Sequence, residues 1–315
     1  MAMNVLQNPS PQILSGTVVI AAGQTQTVNL EAMASRSHRW LRLEELAISL
    51  YSEEGESFVN DYDTISPMGA IIKVRARAYR QDLMRDYVPV WLLGPRIHQA
   101  GEIATTASNN ILNYGQFECY RWKFPKPFYL PPGAAFVLQL QNGENAGDGT
   151  PDITAQVVIR ATQLSEAEAK EAMRKSRDAD FGNPIPYISV FSLATPDDIY
   201  TPASEFLKSS NLELANPFLV PFHLQRITGR ILELDNGMDY LDDSSLKYTL
   251  KLTDTRTIIC DLSDLISVFP RTSLGWTHTR ILQPAEYLTA EFKLQPDAIG
   301  VPQIAMIGYR NEVMP

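Results

Sequence analysis

Alternation of apolar and polar residues with a period of two, repeated along most of the chain, is the feature that most limits what this sequence can fold into. From Ala70 to Arg80, Ile72, Val74, Ala76 and Ala78 alternate with Lys73, Arg75, Arg77 and Tyr79. From Ser245 to Thr253, Leu246, Tyr248, Leu250 and Leu252 alternate with Lys247, Thr249 and Lys251. Successive side chains of a strand point to opposite faces, so this pattern supplies one face for a core and one for water. Further segments rich in Val, Ile, Tyr, Phe and Thr are Ile13 to Ile20, Gln26 to Leu30, Trp40 to Tyr51, Tyr87 to Leu93, Phe117 to Phe124, Ala134 to Gln141 and Ile153 to Leu164. The N-terminal half alone thus offers roughly the eight strands that a jelly roll needs.

One helix stands out, from Ser165 to Asp180. Ser165 and Glu168 have capping-box spacing, and Lys170, Arg174, Lys175 and Arg177 place positive charge toward its C-terminal end. Gly182, Asn183, Pro184 and Pro186 then break the chain, which sets a boundary. Residues 1–164 read as one β module, 165–186 as a connecting helix and linker, and 187–315 as a second β module. A shorter helix is expected at Pro202 to Ser209, with Thr201 as its cap. Strand signals resume through Pro217 to Leu234, Arg256 to Leu262, Trp276 to Gln283, Glu286 to Leu294 and Pro302 to Arg310. Two modules also suit the length of 315 residues, because single cores stop growing near about 250–300 residues.

The two halves share landmarks in the same order. Trp40 to Gly55 corresponds to Pro221 to Gly237, each a long strand running into an acidic loop. Phe128 to Gln141 (FYLPPGAAFVLQLQ) corresponds to Arg280 to Lys293 (RILQPAEYLTAEFK), with Pro132 opposite Pro284. Ala155 to Arg160 corresponds to Pro302 to Ile307, each the last strand of its half. Shared order at low identity indicates an internal duplication. The expected fold class is all-β, two tandem jelly-roll β-barrels with a short connecting helix.

Charge and motifs narrow the function. With 27 Lys and Arg against 36 Asp and Glu, the formal charge is −9, which disfavours a coat held on nucleic acid by a basic surface. The two cysteines, Cys119 and Cys260, lie in different halves and suggest neither a disulfide framework nor a zinc site. Met1 to Gln12 lacks a signal-peptide pattern, no run of about 18 apolar residues exists, and synthesis in the cytoplasm is expected. No Gly-x-Ser-x-Gly elbow, phosphate-cradling loop or His-Glu-x-x-His helix is present. The histidines His38, His98, His223 and His278 are isolated, so packing or surface roles are expected for them.

Two clusters hold polar chemistry. Asp235, Asp239, Asp242 and Asp243 offer hard oxygen ligands to a structural calcium, although their spacing differs from the EF-hand loop; no other cofactor is expected. Glu53, Glu54, Glu56, Asp61 and Asp63 form a similar stretch in the first half. Lys73, Arg75, Arg77, Arg80 and Arg85 cluster on one strand and the residues after it, suited to an outward face or to contact with nucleic acid, anionic lipid or an acidic neighbour. Pro125, Pro127, Pro131 and Pro132 in KFPKPFYLPPG enforce an extended, sharply turned entry into the next strand. The long connections Gly94 to Tyr114 and Leu193 to Pro217 are candidates for intersubunit contact.

With the FYLPPGAAFVLQL and RILQPAEYLTAEFKL pair and tandem modules across a connector, the chain resembles the double jelly-roll major capsid proteins of tailless icosahedral viruses, the lineage that includes adenovirus hexon. In size and loop length it is most similar to those of small membrane-containing bacteriophages such as the finnlakeviruses. The resemblance implies a non-enzymatic homotrimer whose six barrels mimic a hexagon in the virion shell, assembled in the host cytoplasm. It also implies contacts with neighbouring capsomers, with penton or minor capsid proteins and with internal membrane lipid, and no specific recognition of nucleic acid. Two rival readings come from single residues. An amidase-type hydrolase would use carboxylates such as Glu118, Glu291 and Asp261 between the barrels, and a spike, decoration or carbohydrate-binding adhesion protein would stack sugars on Trp40, Trp91, Trp122 or Trp276.

Overall fold

A computed structural model describes residues 10–30, 39–52, 68–79, 81–94, 96–100, 116–143, 152–175, 183–192, 212–235, 239–243, 248–254, 257–262, 276–294 and 301–312. In the first module these form β1 (Ser10–Ile20), β2 (Thr25–Asn29), β3 (Trp40–Ser52), α1 (Met68–Ile71), β4 (Ile72–Ala78), β5 (Gln81–Asp82), β6 (Val88–Pro89), β7 (Arg96–Ala100), β8 (Gln116–Leu130), β9 (Phe136–Asn142) and β10 (Ile153–Leu164). Helix α2 (Glu166–Lys175) follows. The second module holds β11 (Asn183–Ser192), β12 (Leu212–Ala215), β13 (Phe222–Asp235), β14 (Asp239–Asp243), β15 (Tyr248–Asp254), β16 (Thr257–Leu262), β17 (Trp276–Leu282), β18 (Tyr287–Leu294) and β19 (Val301–Glu312).

The sheets of the first module run β1-β10-β3-β8-β7 and β2-β9-β4-β5, with β6 also on β4. Those of the second run β11-β19-β13, with β14 and β17 on β13, and β12-β18-β15-β16. With the added strands β7 and β14 set aside and β5 and β6 taken as one broken strand, the two modules have the same order. The first strand pairs the eighth, then the third, then the sixth; the second pairs the seventh, then the fourth, then the fifth. This is the eight-stranded jelly roll, twice.

The alternation explains the packing. On β4, Ile72, Val74, Ala76 and Ala78 are buried while Lys73, Arg75 and Arg77 lie on the other face. Phe136, Leu138 and Leu140 of β9 do the same opposite them. Between the sheets sit Tyr120, Trp122 and Phe128, all fully buried, with Trp122 edge-on to Phe124 at 4.9 Å. Each such side chain contributes about 1.5–3 kcal/mol by leaving water.

The duplication extends to defects in the ladders. In β3, Glu44 is an extra residue between Leu43 and Glu45, opposite Arg160 and Ala161. In β13, Gln225 is the extra residue between Leu224 and Arg226, opposite Ile307 and Gly308. Both modules also turn alike after their sixth strand. Ala134 N–H donates to the Pro131 carbonyl at 3.1 Å, with Pro132 and Gly133 between them and φ +77° at Gly133. Glu286 N–H donates to the Gln283 carbonyl at 3.0 Å, with Pro284 and Ala285 between them and φ +65° at Ala285. Pro followed by a residue of positive φ is the type II turn. The sequence alignment of the halves therefore holds residue for residue at Pro132 and Pro284 and at Arg160 and Ile307.

Ala285 carries the left-handed strain that Gly133 avoids. Ala285→Gly is expected to raise stability by about 0.5–1 kcal/mol, the strain relieved less the chain entropy that Gly adds. A thermal melt higher than that of the parent chain is the expected reading, and an unchanged or lower one contradicts it.

Some expectations are corrected. The capping box forms as read, with Ser165 N–H donating to Glu168 Oε2 at 2.7 Å and Glu168 N–H donating to Ser165 Oγ at 3.3 Å. The described helix spans Glu166–Lys175, and the remainder of the expected Ser165–Asp180 segment lies outside the described residues. Residues 183–186, assigned to the linker, already belong to β11, because an edge strand tolerates prolines whose missing N–H would face away from its neighbour. Tyr87 to Leu93, read as a strand, is a strand only at Val88–Pro89 and then a 3-10 turn over Val90–Leu92. Its residues Val88 to Leu93 are all buried, and an apolar run of that kind carries no periodicity to tell strand from turn. Pro125 and Pro127 lie within β8, where the register with β3 jumps between Lys123 and Phe128 and frees them from the ladder. Strands β7 and β12 lie in segments read as loops, each short, with only four or five residues. The expected helix at Pro202 to Ser209 lies outside the described residues.

Candidate functional site

Where the two modules meet, the structure builds a tight polar and apolar seam from residues far apart in sequence. Strand β11 is the edge of its sheet, and its free side lies on the first module. Ile188 N–H donates to the Leu83 carbonyl at 2.9 Å, and Met84 and Ile188 form a parallel bridge. Ile188 is fully buried, and Ile185, Ile188, Ala305 and Ile307 belong to the same apolar cluster as the first module's core. One core thus continues through the junction.

Directed bonds fix the register. Asn183 Nδ2 donates to the Tyr129 carbonyl at 2.7 Å, and Tyr129 N–H donates to Asn183 Oδ1 at 3.0 Å, a two-point clamp between β11 and β8. Thr228 Oγ1 donates to the Leu92 carbonyl at 3.3 Å. Arg310 donates to Gln81 Oε1 at 2.9 Å while its guanidinium lies 4.1 Å over the Phe218 ring. Lys126 lies 4.9 Å over the Tyr309 ring, which stacks on His223 at 4.6 Å. Gly94 lies so close to β8 that a Cβ there would meet the Arg121 carbonyl oxygen at 2.0 Å. Buried bonds of this sort set orientation more than they add net stability, since each exchanges a bond to water for one to protein.

Tyr187 lies in the same seam, edge-on to Phe218 at 4.6 Å. Burial pushes its phenol up to about 12 from 10.0, and Arg310 opposes this by favouring the phenolate. A raised acid stabilises the fold while it stays neutral. Its contribution is full below pH 10, and it is lost as pH rises from there through about 12. Tyr187→Phe is accordingly expected to lessen the fall in stability between those limits. Melts of both proteins from pH 8 upward test this, and identical slopes contradict it.

The other candidates fare differently. Glu118 is wholly buried, accepting the Gly69 N–H at 2.9 Å and the Tyr120 hydroxyl at 2.7 Å. Glu291 and Asp261 sit on β18 and β16, both opposite Lys251 in register, in a different sheet from Glu118. The backbone thus puts Glu118 in the first module and the other two on strands flanking β15 in the second, and the side chains of Glu291 and Asp261 lie outside the described residues. Trp122 and Trp91 are core residues, and Trp40 packs against Tyr129, Leu164 and Ala169. The Trp276 side chain lies outside the described residues.

Asp235 pairs with Asp239 across the β13–β14 hairpin and Asp243 pairs with Leu232, while Asp242 lies between on β14. The placement of these four side chains lies outside the described residues, as do Glu53, Glu54, Glu56, Asp61 and Asp63. Among the described residues no three His, Cys, Asp or Glu side chains converge as metal ligands. His223 has a packing role in the seam, and the side chains of His38, His98 and His278 lie outside the described residues. The basic strand face opens on a cleft of about 640 Å³ lined by Arg75, Arg77, Tyr79, Val137 and Gln139. Asp82 partly neutralises it, at 2.9 Å from Arg77 and 3.7 Å from Arg75.

Sequence comparison finds nothing, since no family model and no curated protein matches the chain. Structural comparison does. The crystal structure of the STIV major capsid protein is similar at a TM-score of 0.51 and 10% identity, covering 96% of this chain and 97% of that one. The chain in the atomic structure of Sulfolobus Turreted Icosahedral Virus is similar at 0.54 and 10% identity, over 98% and 91%. The chain has the double jelly-roll fold of these capsid proteins. The major capsid protein P2 of bacteriophage PM2 also aligns, over 96% of this chain and 99% of that one, at 0.44 and 12% identity. Both structures from the turreted virus align over nearly the whole of this chain, so the resemblance spans both modules.

Signals for the seam in the sequence were slight. Ile185, Tyr187, Ile188 and Val190 make β11 apolar on both faces, the mark of a strand covered twice, and Pro184 and Pro186 hid it.

Proposed function

We propose that this chain is a viral major capsid protein, three copies of which close into a pseudo-hexameric ring that tiles an icosahedral shell. The observation that carries the reading is the seam. Two modules of one design are joined by different surfaces, the β11 edge of the second against the Leu83–Met84 side of the first. A junction of that kind leaves a like edge on the first module and a like side on the second. Contacts between unlike surfaces repeat until they close into a ring or run on as a filament. Three copies contribute six modules, which fits a sixfold lattice site. The fold likeness to the turreted-virus capsid protein supports the same reading.

A role in the virion follows, with assembly in the host cytoplasm and self-contact as the main source of affinity, each modest contact being multiplied by repetition. Neighbouring capsomers, penton or minor capsid proteins and, in the small membrane-containing phages, the lipid beneath the shell are the further partners of such a subunit. Sedimentation of the purified chain tests the proposal. The expected species has three times the 35.2 kDa chain mass or larger. A species that stays monomeric at high concentration overturns it.

A further inference from the structure

We infer that the free edge of β1, centred on Ile13, docks on the second module of another copy of this chain, in the way that β11 docks on the first module within the chain. The inference rests on the assembly reading and names the surface that carries it.

The first strands of the two modules share a register. The bulges in β3 and β13 make Arg160 and Ile307 equivalent positions of the last strands. Ile13 pairs with Arg160, and Ile188 pairs with Ile307. Ile13 and Ile188 therefore occupy the same place in the two modules. Two residues earlier the match continues, because Pro11 pairs with Thr162 and Pro186 with Tyr309. Both first strands thus read Pro-x-Ile, PQI in β1 and PYI in β11.

Their surroundings differ completely. Ile188 is 0% exposed, with its N–H bonded to Leu83, whereas Ile13 is 68% exposed. Val19, farther along β1 on the same face as Ile13, is 53% exposed. Among the described residues, strand β1 is the edge of its sheet over 11 residues and pairs with β10 alone. A long edge strand with unpaired backbone groups and apolar side chains is a template for pairing, and natural proteins cover or charge such edges. Here the chain's own duplicate shows the cover. The prolines also agree, since Pro11 and Pro186 each remove an N–H from the side that faces away from the partner strand, and Ile188 N–H, of the same parity as Pro186, is the one that reaches across.

The acceptor is the second module's counterpart of the Leu83–Met84 side, where β16 and β17 lie. A second copy is the fitting occupant because this is the only kind of surface the chain is seen to dock a Pro-x-Ile edge against among the described residues.

Ile13→Arg tests the inference. Ile13 is exposed within one copy, so the thermal melt of dilute variant should match that of the parent. Self-association measured by mass photometry or sedimentation should weaken by about a hundredfold, the loss from one buried isoleucine. Ile13→Val should keep most of it. Hydrogen exchange supplies a readout without mutation: amides of residues 10–20 should be slowed in the assembled parent relative to dilute protein. If the parent never self-associates, the capsid reading and this inference fail together. If the parent assembles while Ile13→Arg assembles as well and β1 exchanges as fast as in dilute protein, the inference alone is overturned.

Discussion

Replacing Ile188 by Asp is expected to lower the unfolding free energy by at least about 4 kcal/mol, because it deletes a fully buried side chain and places a charge without a partner in the seam core. The carboxylate would face Leu83 and Met84, whose contacts with Ile188 now include the 2.9 Å backbone bond that joins the modules. The same change at the equivalent Ile13 is expected to cost within about 0.5 kcal/mol in the dilute chain, since surface substitutions away from special features fall in that range. Denaturant unfolding of both variants checks the pair. The seam account further predicts that Ile188→Asp separates a single cooperative transition into two, one per module, because the core cluster that runs through the junction is what couples them. Equal losses at the two positions, or a single unchanged transition, contradict it.

Glu118→Ala is the second large expected effect. In the native chain the carboxylate accepts from Gly69 N–H and from the Tyr120 hydroxyl, and both donors are buried. Removing it takes an acceptor from two buried donors, at about 1–3 kcal/mol each, and adds a cavity. A total loss of about 3–5 kcal/mol follows. Glu118→Gln keeps the volume and one acceptor oxygen, and should lose clearly less. The ordering Ala worse than Gln in chemical denaturation identifies a structural acceptor, and equal losses contradict it. Gly69 marks the same tightness, as a Cβ there would meet the Tyr120 ring.

Much of the fold was legible because it rests on local pattern. The alternation in Ile72 to Ala78 and the capping box at Ser165 and Glu168 are properties of a few adjacent residues, and both appear as read. The duplication was legible through Pro132 and Pro284, since proline at the second place of a type II turn is dictated by φ. What failed depended on distant partners. Asn183 looked like a breaker, yet it is held by the Tyr129 backbone, 54 residues away. Pro184 and Pro186 signalled a linker, yet an edge strand accepts them. Trp91 and Trp122 were read as core or as sugar platforms, and only the packing decided for core. Beyond the two apolar faces of β11, the seam had no local signature, because its chemistry is assembled from Gln81, Leu83, Asn183 and Arg310 across the whole chain.

In the assembly proposed above, one junction design is used within the chain and again between copies. Imaging the purified assembly end-on by electron microscopy tests this. The account predicts a closed ring of threefold symmetry with six lobes of nearly equal size and nearly equal gaps. A twofold dimer, an open filament, or three lobes set apart by wide and unequal gaps would contradict it.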